Sequence, residues 1–281
     1  MEELLRSYKV PYGEDNARIW RYVNFAKFVS MLESESLWYC RLDKFEDRLE
    51  AVMSVPGVEK YVAALSKRVI EAGLLGEVAN LERDSRLTAA STTELLRATV
   101  FVNCWHMSEV ESGAMWKIYS QEGIAIQSTV GRLWESVHQF GSLGKVEYID
   151  HETDDMDEGL PFLYKHRMFS FEQEVRLYTV KFPEGHSILS ISEDHEDHVA
   201  GIAVPTDLQT LIERVYVAPG LGGWFGRAVK AVLERFGLSE VEVLTSAADK
   251  VPEYRENYLK VRKELIARGI TPPMHTTRES G

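Results

Sequence analysis

Cysteine is scarce in this chain of 281 residues, which has only Cys40 and Cys104. Two thiols in separate apolar or aromatic runs (Leu37-Trp-Tyr-Cys40 and Phe101-Val-Asn-Cys-Trp105) suggest neither a disulfide framework nor a Cys-x-x-Cys metal site. They read as buried free thiols of a reducing compartment. Long hydrophobic runs are missing as well, and none approaches the roughly 20 residues of a membrane span. Basic charge is in deficit, with 32 Lys and Arg against 44 Asp and Glu and a net charge of −12. That balance argues against a protein that grips nucleic acid through a basic surface, while leaving room for a local basic groove. Met1-Glu-Glu-Leu-Leu-Arg6 carries acid where a secretory signal carries base, so a cytoplasmic location is expected. Repeats, low-complexity tracts and linker-like stretches are absent too, so a single domain is expected over residues 1–281.

What is present is an alternation of short β-branched or aromatic runs with helical patterns, which gives an α+β class. Arg18–Val23, Ser36–Arg41, Thr99–Trp105, Gly123–Ser128 and Lys145–Ile149 read as strands. Between the first two, Asn24 is a good N-cap for a helix over Phe25–Ser34, with Phe25, Phe28, Val29 and Leu32 at helical spacing. Residues 57–97 form a helical insertion. Gly113–Ser120 and Val130–Phe140 are further helices, and Ser187–Ile191 is a hairpin candidate. Residues 213–247 read as a β-α-β extension (Glu213–Pro219, Trp224–Phe236, Val241–Thr245). A last helix, Pro252–Ala267, carries Tyr254, Tyr258, Val261 and Leu265 on one side. Mixed and antiparallel sheets are therefore expected.

Ionisable chemistry is most concentrated in Lys165-His-Arg-Met-Phe-Ser-Phe-Glu-Gln-Glu-Val-Arg-Leu-Tyr-Thr-Val-Lys181. Phe171–Val180 reads as a strand, and alternation puts Phe171, Val175 and Leu177 on one face and Glu172, Glu174, Arg176 and Tyr178 on the other. That charged face is either a set of ion pairs at a sheet edge (Glu174 with Arg176, Glu172 with Lys165 or Arg167) or part of an active site.

The segments Trp20-Arg-Tyr22, Phe45-Glu-Asp-Arg-Leu-Glu50, Cys104-Trp-His-Met-Ser108, Met115-Trp-Lys-Ile-Tyr119, Gly123-Ile-Ala-Ile126, Lys165-His166 and Phe171-Glu-Gln-Glu-Val-Arg176 follow a familiar order. Together they resemble the bacterial domain-of-unknown-function family 2971, from about residue 18 to 247. Met-Trp-x-x-Tyr and Glu-x-Glu-Val-Arg are specific in combination and weak singly. Phe45-Glu-Asp-Arg departs from the family's usual Phe-Asn-Asp-Pro. The layout of an early strand with Arg21, a helix, a strand and a late Glu-x-Glu strand also resembles the ADP-ribosyltransferase superfamily. That second likeness implies NAD as cofactor, with Glu174, Glu172 and Arg21 as catalytic residues. Tyr22, Trp105, Ser108 and Arg176 would then be the cofactor-binding set, Ser108 standing nearest to the superfamily's middle-strand serine. A setting in bacterial defence or a toxin system goes with it, and the acceptor, protein or nucleic acid, stays open. The chemistry is coherent: glycosidic cleavage develops positive charge that a fixed carboxylate stabilises, and an arginine fork suits a pyrophosphate. The alternative is a non-catalytic binding or regulatory module of the same fold.

Weaker candidates remain. Asp47, Glu50, Glu172 and Glu174 with Lys181 have the residue types of a Mg²⁺ nuclease, without its usual spacing. Gly220-Leu-Gly-Gly-Trp-Phe-Gly226 is either a tight turn or a phosphate cradle. His195 and His198 read as a solvated acidic loop rather than metal ligands, so no metal is expected. Trp105, Met115, Trp116 and Tyr119 are either core or a ring-stacking wall, with Trp105 and His106 nearest a cleft.

Overall fold

The computed structural model describes residues 8–9, 14–71, 78–120, 122–137, 140–156, 160–182, 199–250 and 252–270. The Ser187–Ile191 hairpin and the His195/His198 pair lie outside them. In chain order the elements are β1 (Tyr8–Lys9), β2 (Arg18–Asn24), α1 (Phe25–Ser34), β3 (Ser36–Arg41), α2 (Val55–Glu71), α3 (Val78–Thr99), β4 (Val100–Met107), α4 (Gly113–Tyr119) and β5 (Gly123–Thr129). There follow α5 (Val130–Ser136), β6 (Ser142–Lys145), β7 (Glu147–Ile149), β8 (Tyr164–His166), β9 (Glu174–Val180), β10 (Gly201–Pro205), α6 (Leu208–Leu211), β11 (Arg214–Val217), α7 (Gly222–Arg235), β12 (Glu242–Thr245) and α8 (Glu253–Ala267).

Helices and a mixed, mostly antiparallel sheet make this an α+β fold, as expected. Ten strands form the sheet, along the path β1-β6-β9-β4-β2-β5-β11-β12 with β3 and β10 branching from β4. The branch matters for the site. The C-terminal end of β4 pairs with β2 (Trp20 opposite His106), whereas its N-terminal end pairs with β3 (Cys40 opposite Val102). Asn103, Cys104 and Trp105 stand where the two neighbours diverge. The other edge of β4 runs antiparallel to β9, with His106 opposite Glu174 and Cys104 opposite Arg176.

Local signals account for several elements. The Asn24 side chain accepts a hydrogen bond from the Lys27 amide at 2.8 Å and starts α1, whose Phe28 and Leu32 are buried one turn apart. The helical insertion is α2 with α3, between β3 and β4. The expected β-α-β extension is β11-α7-β12, whose strands run parallel with Val215 opposite Val243.

Strand alternation divides the sheet into two faces. Ile19, Trp105, Ile124, Ile126, Val175, Leu177, Val215 and Val217 belong to the main apolar core, with Phe28 and Leu32 of α1 and Val229 and Leu233 of α7. The opposite face carries two smaller apolar groups. One holds Val100, Val102 and Tyr178 with Leu160, Phe162 and Leu163; the other holds Trp20, Tyr22 and Ala125 with Met115 and Trp116 of α4. Trp20, Tyr22, Cys104, His106, Glu174 and Arg176 share this second face.

Several expectations are corrected. The strand placed at Phe171–Val180 begins only at Glu174, because Arg167–Glu172 is a 3-10 turn that ends at Gln173 in the left-handed region (φ 41°). The ion-pair face sits at the middle of the sheet rather than its edge, since β9 lies between β6 and β4. The helix from Val130 ends at Ser136, and Lys145–Ile149 is divided between β6 and β7. Among the described residues, no helix is long and apolar enough to cross a membrane.

Candidate functional site

Between the two apolar groups of the second face lies a closed cluster of five charged side chains from three stretches of the chain: Glu50; Lys165; and Glu172, Glu174 and Arg176. All are buried, Glu50 and Arg176 with no exposed surface at all. Arg176 is the keystone. Its Nη1 and Nη2 donate to both oxygens of Glu50 (2.9 and 2.8 Å), its Nε donates to Glu174 Oε2 (2.5 Å), and Nη1 also reaches the Phe162 carbonyl (2.7 Å). Lys165 donates to Glu172 Oε2 (2.5 Å) and Glu174 Oε1 (2.9 Å), stands 3.7 Å from Glu50, and lies over the Phe169 ring.

Neutral polar groups complete the shell. Tyr119 Oη donates to Glu172 Oε1 at 2.8 Å. His106 Nδ1 lies 2.6 Å from the Glu172 carbonyl, which can only accept, so the proton sits on Nδ1. Tyr148 Oη accepts from the Glu174 amide. Tyr119, Met168 and Phe171 are exposed. They carry an aromatic and aliphatic rim at the outer side of Glu172, through the Tyr119 hydrogen bond and through the 3-10 turn that holds Met168 and Phe171.

Three carboxylates face two cations, and the imbalance decides where a proton goes. Burial, with the adjacent Glu174 carboxylate, pushes Glu172 above the usual carboxylate range, so it is the member that first takes a proton. Burial also works against charge on Glu174, but Arg176 and Lys165 outweigh it and hold that carboxyl far below its ordinary value. Burial alone would lower Lys165, yet Glu174 and Glu50 keep it above its ordinary range. Two neighbouring carboxylates with acidities driven apart make up the usual arrangement for dividing acid–base work.

The depressed Glu174 has a consequence for stability. Its contribution is present above the unfolded value of about 4.3 and is lost as the pH falls from there toward the folded value. Urea unfolding followed from about pH 7 downward should lose stability below roughly pH 5, and Glu174→Gln should flatten that loss. An unchanged acid limb in the variant would show that Glu174 is not held as the geometry implies.

The sequence-derived candidates divide. Glu172, Glu174 and Arg176 come together, with the pairings Glu174–Arg176 and Glu172–Lys165; Arg167 pairs instead with Asp154. Arg21 does not join them. It lies on the opposite face of the sheet, where Nη1 donates to Asn103 Oδ1 (3.0 Å) and the Cys104 carbonyl (2.7 Å) and the guanidinium stands over Trp105. Asn103 in turn donates to the Trp38 carbonyl at 2.8 Å. Arg21 and Asn103 thus bridge the divergence of β2 and β3, satisfying backbone that no strand pairs. Trp105 is buried on that same face with Nε1 bonded to Asn103, so it is core and not a cofactor platform. Arg176 has its donors engaged inside the cluster and none presented to a pyrophosphate.

Tyr22 and Ser108 lie elsewhere along the second face and its edge. The Tyr22 hydroxyl accepts from the Ser112 amide, and its ring packs edge-on against Trp116 (5.0 Å between centroids) and 6.3 Å from His106. The Ser108 hydroxyl accepts from the Val110 amide in the loop after β4. Asp47 caps the Leu49 amide, and among the described residues no group of three or more His, Cys, Asp or Glu could hold a metal ion. At Gly220, the amide already donates to both oxygens of Asp249 (3.1 Å each), so a carboxylate of the chain itself takes the place a phosphate would have.

Sequence reasoning missed Glu50 as the partner of Arg176. No spacing rule joins residues 126 apart; the hints were the likeness quoting Glu50 beside the Glu-x-Glu-Val-Arg segment and the nuclease candidate, which grouped Glu50 with Glu172 and Glu174. No family model matches the chain, and neither a curated protein nor a solved structure matches it.

Proposed function

We propose that the chain is an ADP-ribosyltransferase-like enzyme that takes NAD and works through Glu172 and Glu174, without Arg21. The observation that carries this reading is backbone strain at the charged centre. Among the described residues, three that are not glycine have a positive φ; two of them are Ala51 (61°), next to Glu50, and Gln173 (41°), between Glu172 and Glu174. Such a conformation costs of order 1–3 kcal/mol and persists where the surroundings over-determine it, typically at functional sites. A buried ion network is also weak as a device for stability alone, since apolar residues of equal volume often serve a fold as well or better.

In this reading Glu174, fixed as an anion, faces the positive charge that develops on the ribose as the bond to nicotinamide breaks. Glu172, its pKa raised by burial and the Glu174 charge, accepts the proton released by the attacking acceptor. The product side balances as ADP-ribosyl acceptor, nicotinamide and one proton. Glu50, Tyr119, Lys165, Glu172, Glu174 and Arg176 all belong to segments that carry the likeness to domain-of-unknown-function family 2971. That coincidence supports membership, together with a cytoplasmic role in bacterial defence or a toxin system, as a proposal. The test is incubation with NAD labelled in the nicotinamide ring. Release of nicotinamide is expected, and release at the wild-type rate by Glu174→Gln would sink the assignment.

One observation favours the second reading, a binding or regulatory module. Lys165 and Arg176 already engage both carboxylates, and the groove of about 500 Å³ beside α4 is lined by none of the five charged residues. A chain that neither releases nicotinamide nor gains thermal stability from NAD belongs to that class.

A further inference from the structure

His106 is held on several sides and left open on one. Its place in β4 sets it opposite Trp20 of β2 and opposite Glu174 of β9, and its Nδ1–H donates to the Glu172 carbonyl at 2.6 Å. That bond fixes the tautomer, so the lone pair of the ring sits on Nε2. Nε2 makes no hydrogen bond among the described residues. It is not walled in either. Both ring nitrogens of His151 are enclosed without a partner, whereas Nε2 of His106 is not, so the 4% of His106 that stays exposed includes it.

A histidine kept only to satisfy the Glu172 carbonyl would need one donor and no second nitrogen. The surroundings of Nε2 suit a ligand. The Tyr22 ring stands 6.3 Å from the imidazole, and Tyr119, itself exposed, reaches past it to Glu172 Oε1. Burial pushes the imidazole below its ordinary value, so the ring is uncharged at neutral pH. An uncharged ring with its Nδ1 proton engaged offers a ligand one thing, a lone pair. It accepts from an O–H or N–H group and has nothing for an anion.

We propose that His106 is a ligand-recognition residue of the site, its Nε2 accepting a hydrogen bond from an uncharged O–H or N–H donor of the bound molecule. The inference rests on the NAD reading. Its position opposite Glu174 assigns it to the reacting end of NAD, where two such donors lie, the hydroxyls of the nicotinamide ribose and the carboxamide. The role is separate from that of Glu172: His106 orients the ligand and takes no proton. Locked through Nδ1, the acceptor is preorganised, and a site built on such a contact discriminates against an analogue that lacks the donor.

Two substitutions separate support of the Glu172 turn from recognition of the ligand. Asparagine reaches the place of Nδ1, and glutamine the place of Nε2. His106→Asn should keep the bond to the Glu172 carbonyl and the wild-type melting temperature, yet bind NAD about ten-fold more weakly by calorimetry. His106→Gln should melt lower and hold NAD affinity within about three-fold. The analogue that lacks the donor should bind the wild type weakly and lose nothing further in His106→Asn. NAD with a deoxy nicotinamide ribose tests the hydroxyls, and nicotinic acid adenine dinucleotide tests the carboxamide. Independently, diethyl pyrocarbonate acylates an open, unprotonated imidazole nitrogen, so mass spectrometry should find His106 modified in the free protein and protected by NAD. A His106 that resists acylation in the free chain, NAD that binds without protecting it, or wild-type NAD affinity in His106→Asn would each overturn the inference and leave the transferase reading standing. A reactive His106 in a chain that binds no NAD would instead sink that reading, and this inference with it.

Discussion

Arg176→Met should lower the free energy of unfolding by about 3–5 kcal/mol, the range for breaking a buried ion pair by removing one partner. The reason lies in what is left behind. Glu50 has no exposed surface and Glu174 very little, and both would keep their charge or take up protons with most of their hydrogen bonds gone. Lys165 can partly compensate, since it already touches Glu174 and lies 3.7 Å from Glu50. For that reason Lys165→Met combined with Arg176→Met should cost more than the sum of the two. By contrast, Glu50→Gln with Arg176→Met should cost clearly less than the sum, because each removes the partner of the other. Urea denaturation of the single and double variants gives these couplings. An Arg176→Met cost under about 1 kcal/mol would mean that water reaches the cluster and that the buried description is wrong.

The local rules read much of this fold and little of its centre. The α1 helix was legible because its cap, its apolar spacing and its end all lie within a dozen residues, from Asn24 to Glu35. The edges of β3 were legible for the same reason. Glu174 beside Arg176 was legible as a pair two residues apart on one strand. Glu50 was not, because the segment carrying it returns to β9 only through the tertiary fold. Alternation along β2 correctly separates Arg21 from Tyr22, but the choice of face is made by the order of strands β9-β4-β2, which no residue pattern encodes. Arg21 therefore looked like a site residue and proved to be the bridge of a split sheet. Gln173 misled in another way. Its neighbours have strand chemistry, and a left-handed backbone at a non-glycine residue is a tertiary constraint that propensity cannot foresee. The α8 helix was legible from the spacing of Tyr254, Tyr258, Val261 and Leu265, but that spacing does not tell that Tyr254, Tyr258 and Val261 stand exposed.

The second large effect should appear in the pH dependence of NAD turnover. If Glu172 accepts the acceptor's proton, the reaction needs it ionised, so the rate rises with pH through the Glu172 acidity constant. Burial and the Glu174 charge raise the Glu172 pKa, which puts the acid limb at higher pH than the roughly 4.3 of an ordinary glutamate. Glu172→Gln should abolish the limb and cost about 10²–10⁴ in rate. Glu174→Gln should cost about 10²–10³, the loss expected for one fixed electrostatic contact to the developing charge. Lys165→Met gives the sharpest sign. Removing a cation 2.5 Å from Glu172 favours its neutral form, so the limb must move to higher pH. A structural role for Lys165 would lower the amount of folded protein without moving the limb. The rates are to be taken at a temperature where each variant is folded by circular dichroism. A limb that stays in place in Lys165→Met, or persists in Glu172→Gln, would remove Glu172 from the chemistry and leave the cluster as architecture.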